Sequence, residues 1–233
     1  MSAFRRLAFR ATMIILCASP ASTGLALASE EQTSSKEETK SSWIAFNHDY
    51  FGKCVGDCSV RLFAGRAVTS PMTQVFGVNL DKDWIPPWRW QTDHTEIIAG
   101  SIGRRLATLW GVLDVDPELG VGQRIGHQHA TEIWGAVYLR WTDFPWNKFI
   151  ITTIGLSTGV SFVTRVDAGE AELNEPNSVG IFQHYFSPEV TFALPRYPQL
   201  ALMLRFHHRS RGFVFGHAAT GDGFASAGLE YRF

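Results

Sequence analysis

Past its first 28 positions the chain lacks any apolar run of about 20 residues, so none of it is suited to a membrane-spanning helix. It also has no surplus of positive charge. Arg5, Arg6 and Arg10 are the only charges among the first 28 residues, and setting them aside leaves 18 basic residues against 22 acidic ones. That balance excludes nucleic acid as an expected partner. Cysteine is scarce, at three in 233 residues, and Cys17 lies in the leading segment. In an oxidising compartment Cys54 and Cys58 are expected to close a tight disulfide loop. A two-thiolate metal site ranks below it, because no histidine or further cysteine lies at ligand spacing beside the pair. No metal and no cofactor are expected.

What is present begins with an export signal. Three arginines precede an apolar stretch from Ala11 to Cys17, which continues in small and apolar residues to Leu27. Ala26-Leu27-Ala28 has the A-x-A form of a cleavage site, so residues 1–28 are expected to be removed and the mature chain to start at Ser29. Leu16 before Cys17 argues against lipidation, which needs a small residue there. Residues 29–42 are polar and charged without apolar periodicity, and are expected to form a disordered arm.

From 43 to 233 the pattern changes. Aromatic residues make up 13% of the chain, with 8 Trp and 17 Phe, while lysine is sparse. Eight segments of strand length show alternating character, near 59–69, 93–107, 110–124, 130–143, 148–163, 180–193, 199–210 and 223–233. Their connections alternate in length. One end has short turns near 108–109, 144–147 and 194–198. The other has three long loops, 70–92, 164–179 and 211–222. Short periplasmic turns with longer outer loops mark an outer-membrane barrel. The last residues, Gly228-Leu229-Glu230-Tyr231-Arg232-Phe233, alternate and end in Phe, as does the strand read by the bacterial barrel assembly machinery. The expected fold is an all-β, eight-stranded antiparallel transmembrane barrel in the bacterial outer membrane, with outer-membrane lipid and lipopolysaccharide around it.

Residues two apart on a strand share a face. Ile133, Val137, Leu139 and Trp141 are thus expected to meet lipid, with Glu132, Tyr138 and Arg140 inside. The predicted lumen holds Asp114, Asp116, Glu118, Glu132 and Glu189 with Arg140, Arg205 and Arg232. Eight strands leave room only for side chains, and buried charge must be paired. A plugged interior is expected, which disfavours a diffusion pore.

The seventh segment places Leu200, Leu202, Leu204 and Phe206 on the lipid side, and the same row continues with His208 and Ser210. Arg205, His207 and Arg209 fall on the other side, where His207 is expected to partner an acid. A hydroxyl and an imidazole aimed at lipid need partners or a task. His208-Arg209-Ser210, followed by Asp222-Gly223 before the last strand, resembles the lipid A 3-O-deacylase family of eight-stranded outer-membrane barrels. In that family the penultimate strand carries His-x-Ser-Asn, and the last strand follows an Asp-Gly-like turn and supplies a Glu. The resemblance implies an ester hydrolase acting on lipopolysaccharide acyl chains, with Ser210 as nucleophile and His208 as base. Arg211 stands where the family has Asn, and Ala225 where it has Glu. The group orienting the base would then be His184, His217 or Asp222. The other reading is a non-enzymatic barrel that binds lipopolysaccharide or has a structural role, with His208 and Ser210 as interfacial polar residues. Arg209 and Arg211 are expected at the rim, where they suit phosphate or lipid head groups. Trp84, Trp88 and Trp90 read as interface anchors. The acidic loop with Asp167, Glu170, Glu172 and Glu175 reads as solvated.

Overall fold

The computed structural model describes residues 43–77, 83–165, 181–210 and 221–233. The leader, the polar arm, the acidic loop, Arg211 and His217 lie outside these described residues. The strands are β1 (Ile44–Phe46), β2 (Cys58–Val68), β3 (Thr92–Arg104), β4 (Ala107–Leu109), β5 (Leu113–Ile125) and β6 (Ala130–Trp141). They continue with β7 (Ile151–Val163), β8 (Phe182–Phe186), β9 (Pro188–Leu194), β10 (Tyr197–Ser210) and β11 (Gly221–Arg232). A short α-helix, α1 (Met72–Val75), follows β2, and a single 3-10 turn spans Pro87–Arg89.

Eight staves close into a ring: β2, β3, β5, β6, β7, the broken stave β8/β9, β10 and β11, each antiparallel to its neighbours. The seam pairs the last stave with the first, from Arg232↔Ser59 to Gly223↔Val68. Phe233 extends it, donating to the Cys58 carbonyl at 3.0 Å and accepting from the Cys58 N–H at 3.2 Å. Closure leaves the staves no free edge. The fold is an eight-stranded barrel of outer-membrane type.

The eight expected segments match these staves, and two short strands come in addition. The segment expected over 93–107 bends after Arg104, and its end becomes β4, which pairs with β5 through a turn at Trp110-Gly111. Residues 110–112 therefore belong to this turn and not to a strand. β1 lies along β4 from Ile44↔Leu109 to Phe46↔Ala107.

Alternation sorts the side chains as the period of two requires. On β6, Ile133, Val137, Leu139 and Trp141 are exposed, whereas Glu132, Trp134, Ala136, Tyr138 and Arg140 are buried. From Ile133 to Trp141 the outer face spans roughly 20 Å along the barrel axis, for a rise of ~3.3 Å per residue and a tilt of ~40°. Aromatic side chains gather at the turn end of this belt: Trp43 stacks with Trp110, Phe144 with Trp146, and Tyr231 with Phe233. Such girdles suit the water–lipid boundary.

The interior is filled in layers. Nearest the turns lies an ionic cluster centred on Glu118, which accepts from Arg61 at 3.1 Å, Arg205 at 2.8 and 2.9 Å, and the Trp134 indole at 3.1 Å. Asp116 bridges Arg61 and Arg140, Glu189 bridges Arg140 and Arg205, and Glu230 joins Arg61 to Arg232. Above it, Phe63, Ile97, Trp134, Tyr138, Tyr185, Met203 and Phe224 pack as an apolar and aromatic layer. Gly120 makes room for the Trp134 indole, since a Cβ there would fall 2.1 Å from the ring. Nearest the loops, Glu132 takes Arg124 at 2.6 Å, His207 at 3.0 Å and the Ser161 hydroxyl at 2.6 Å. The lumen charges anticipated from the pattern are thus largely present. Asp114 and Arg232 differ, being only partly buried at the turn end.

The turn end carries a cap. Cys54 and Cys58 are joined by a disulfide. Arg104 donates to Asp57 at 2.7 Å and to the carbonyls of Gly52, Asp49 and Lys53 at 2.9 to 3.0 Å. Burial raises the Asp57 pKa, but hydrogen bonds from the Val55 N–H, Arg104 and Asn47 outweigh it and hold the carboxyl at about 2.

Two outcomes are expected. Glu118→Ala leaves Arg61 and Arg205 short of counter-charge in the interior and costs ~3–5 kcal/mol, read as a lower urea midpoint for the barrel in micelles. An unchanged midpoint would show that the cluster is not a paired unit. The Asp57 contribution is full above the usual carboxylate range and is lost as pH falls through about 2. Amide exchange across 47–57 should therefore stay slow down to about pH 4 and quicken toward pH 2, whereas Arg104→Ala should quicken it at neutral pH.

Candidate functional site

The row holding the anticipated site lies on the outer wall, on β10. Leu200, Leu202 and Leu204 are 50%, 50% and 43% exposed, whereas Phe206 and His208 fall to 7% and 8%. The change comes from chain folded against the outside of the barrel. After β2, residues 69–77 and 83–91 form a strap tied across itself. The Thr69 N–H donates to the Gln91 carbonyl, the Trp84 indole to the Val75 carbonyl and the Trp90 indole to the Ile85 carbonyl. Val75 of α1 packs with Val68 and Phe206, flanked by Met72, Trp90 and Ala225. Phe206 meets Phe76 edge-on at 5.2 Å and Trp90 at 6.1 Å. His208 stacks against Phe206 at 6.1 Å. The expectation that His208 faces lipid is therefore corrected: it points outward but sits within protein. Of the three indoles expected as interface anchors, Trp90 instead packs into this cluster, while Trp84 and Trp88 remain exposed.

Strand register decides which residues join it. Ser210 is directly opposite His184 on β8, and His208 is opposite Phe186. Ser210, His184 and His208 thus share one outward patch. His184 Nε2 lies 2.9 Å from the Thr158 hydroxyl. His208 Nδ1 is buried and has no hydrogen-bond partner among the described residues. Among the described residues no hydrogen bond joins Ser210 to either ring.

Two other anticipated members belong elsewhere. Asp222 pairs in register with Arg209, which sets both toward the lumen, and its carboxylate lies 2.6 Å from Arg124. Its carboxylate is thus taken by Arg124, and toward His208 it offers its backbone. Arg209 is fully buried and is not a rim residue reaching for head groups, because odd positions of β10 point inward, as Arg205 and His207 do. Ala225, at the resemblance's Glu position, is opposite Phe206 on the outer face, so that position supplies no carboxylate. The outward carboxylate on the same row, Glu96, is three strands from β10 and paired with Arg66 at 2.9 Å.

His207 is where it was expected, as partner of an acid: Nε2 is 3.0 Å from Glu132 and Nδ1 is 3.1 Å from the Tyr185 hydroxyl. Arg61 and Arg124 were absent from the anticipated interior. Parity carried the signal for Arg124, which lies an even number of residues from Asp116 and Glu118 on β5.

No protein-family model matches the sequence, and no curated protein matches it. Solved structures similar to the chain include a de novo designed transmembrane β-barrel, at 12% identity over 78% of this chain and 98% of that one, with a TM-score of 0.42. Neisserial surface protein A is similar at 13% identity over 76% and 97%, with a TM-score of 0.46. The outer membrane protein Ail of Yersinia pestis is similar at 11% identity over 77% and 100%, with a TM-score of 0.38. The barrel assignment rests on the closed ring of paired strands and not on these overlaps.

The strap makes a direct prediction. Phe206→Ala removes the side chain on which Phe76 and Trp90 rest. Chymotrypsin should then cut within 72–90 at least ~10-fold faster, the equivalent of ~1.4 kcal/mol of lost docking. The heat-modifiable gel mobility of the barrel should be unchanged. Equal cleavage of the two proteins would show that the strap is held by other contacts.

Proposed function

We propose that the protein is a non-enzymatic barrel of the bacterial outer membrane that contacts lipopolysaccharide through its outer wall and has a structural role there. The observation that carries this reading is the state of His208. Among the described residues its Nδ1 has no hydrogen-bond partner, while the Asp222 carboxylate is committed to Arg124 in the lumen and His184 to Thr158. An ester-cleaving serine needs a base in hydrogen-bond reach and a group that orients the base. The filled interior argues in addition against a diffusion pore. The leader-like residues 1–28 and the short-turn, long-loop pattern support the membrane assignment, with the loop end outward. The outward stacking of Tyr231 and Phe233 suits recognition of β11 by the barrel assembly machinery.

One observation favours a second reading, a lipid A deacylase-like ester hydrolase: Ser210 and His184 are direct cross-strand partners, with His208 two residues along the same face. Mass spectrometry of lipid A separates the two. Cells expressing the wild-type chain and the Ser210→Ala variant, each folded in the outer membrane, should give identical lipid A acylation. Loss of one acyl chain with wild type alone would replace the structural reading with the hydrolase.

A further inference from the structure

At the loop end, at the mouth of the barrel and away from the β10 patch, lies a group of side chains that takes no part in the ionic clusters. Asp93 and His94 begin β3, and His127 lies in the tight connection between β5 and β6. The pairing Glu96↔Ile125 brings the two segments side by side. Gly126, at φ +101°, lets the connection fold back onto β3: a Cβ there would fall 2.0 Å from the His94 carbonyl oxygen. The result places the His94 and His127 rings 5.5 Å apart at 72°. Asp93 Oδ1 lies 3.0 Å from His127 Nδ1, while its Oδ2 accepts from the Thr95 hydroxyl at 2.9 Å.

This is the arrangement of a carboxylate behind a metal-binding imidazole. A carboxylate at Nδ1 draws the proton to that nitrogen, leaving the Nε2 lone pair for a ligand and fixing the ring's direction. The ring spacing agrees. A metal ~2.1 Å from each nitrogen lies roughly 3.2 Å from each ring centre, so two rings at a tetrahedral angle have centres roughly 5.3 Å apart. The His127 side chain is 64% exposed, so an aqueous ion reaches it without crossing protein. Among the described residues no three metal-ligating side chains are drawn around one point. A metal held there would take the two imidazole nitrogens, with water completing the coordination.

We propose that His94 and His127 form a two-imidazole site for a divalent transition metal at the loop end of the barrel, with Asp93 as its positioning carboxylate. Imidazole pairs select copper, nickel and zinc over magnesium and calcium, and copper binds tightest. The inference is independent of whether the barrel is structural or hydrolytic.

The test is a Cu2+ titration of the untagged barrel in micelles, followed by electron paramagnetic resonance. Wild type should bind one equivalent whose spectrum shows coupling to two imidazole nitrogens. His94→Ala and His127→Ala should each weaken that equivalent at least ~10-fold, and Asp93→Asn about 10-fold, as expected when an outer partner is lost. His184→Ala should leave it unchanged. Heat-modifiable mobility checks that each variant is folded. Absence of a two-nitrogen equivalent in wild type, or its persistence in the His94→Ala/His127→Ala double variant, would overturn the proposal.

Discussion

The ion pairs that Glu118 makes with Arg61 and Arg205 govern what this barrel is. Eight staves enclose a space one side chain deep. In that space charge is tolerable only when met by opposite charge and hydrogen bonds. Glu118, Asp116, Glu189 and Glu230 meet Arg61, Arg140 and Arg205 in one network of ion pairs. The cluster ties β2, β5, β6, β9, β10 and β11 together across the axis, so six staves share one set of contacts. Strand parity then follows. With Arg205 committed inward, His207 and Arg209 must also point inward, and His208 and Ser210 outward.

That parity divides the residues of the β10 patch between the two faces of the wall. Asp222 is close to His208 in sequence register, yet its side chain is across the wall. His184 is on the correct face and beside Ser210, but already bonded to Thr158. Ser210, His184 and His208 share the outer face, and the strand wall divides the Asp222 carboxylate from them. The strap adds a second constraint by surrounding Phe206 with Phe76, Val75 and Trp90. This part of the outer wall is a protein–protein contact within one chain and not a lipid contact.

Much of this was legible in the sequence because a barrel repeats one rule, the period of two. That rule located all eight staves, the apolar belt, and the inward Glu132, Glu189, Arg140, Arg205 and His207. It failed where the rule lapses. β1 and β4 are three residues each, too short for alternation to register. The orientation of Asp222 required the register of β10 against β11, which a loop of uncertain length conceals. The covering of Phe206 depends on residues more than 110 positions earlier in the chain, and such a contact leaves no local pattern. The His94–His127 pair was equally hidden, because it arises from a turn at Gly126 folding onto the neighbouring strand β3.

The most direct test of the central claim, that the interior is a continuous paired solid, is ion conductance across a planar bilayer holding the reconstituted wild-type barrel. The paired network predicts no steady current above that of the bare bilayer. A stable ohmic conductance would mean that water and ions pass between Glu118 and its arginines, and the account of the lumen would be wrong.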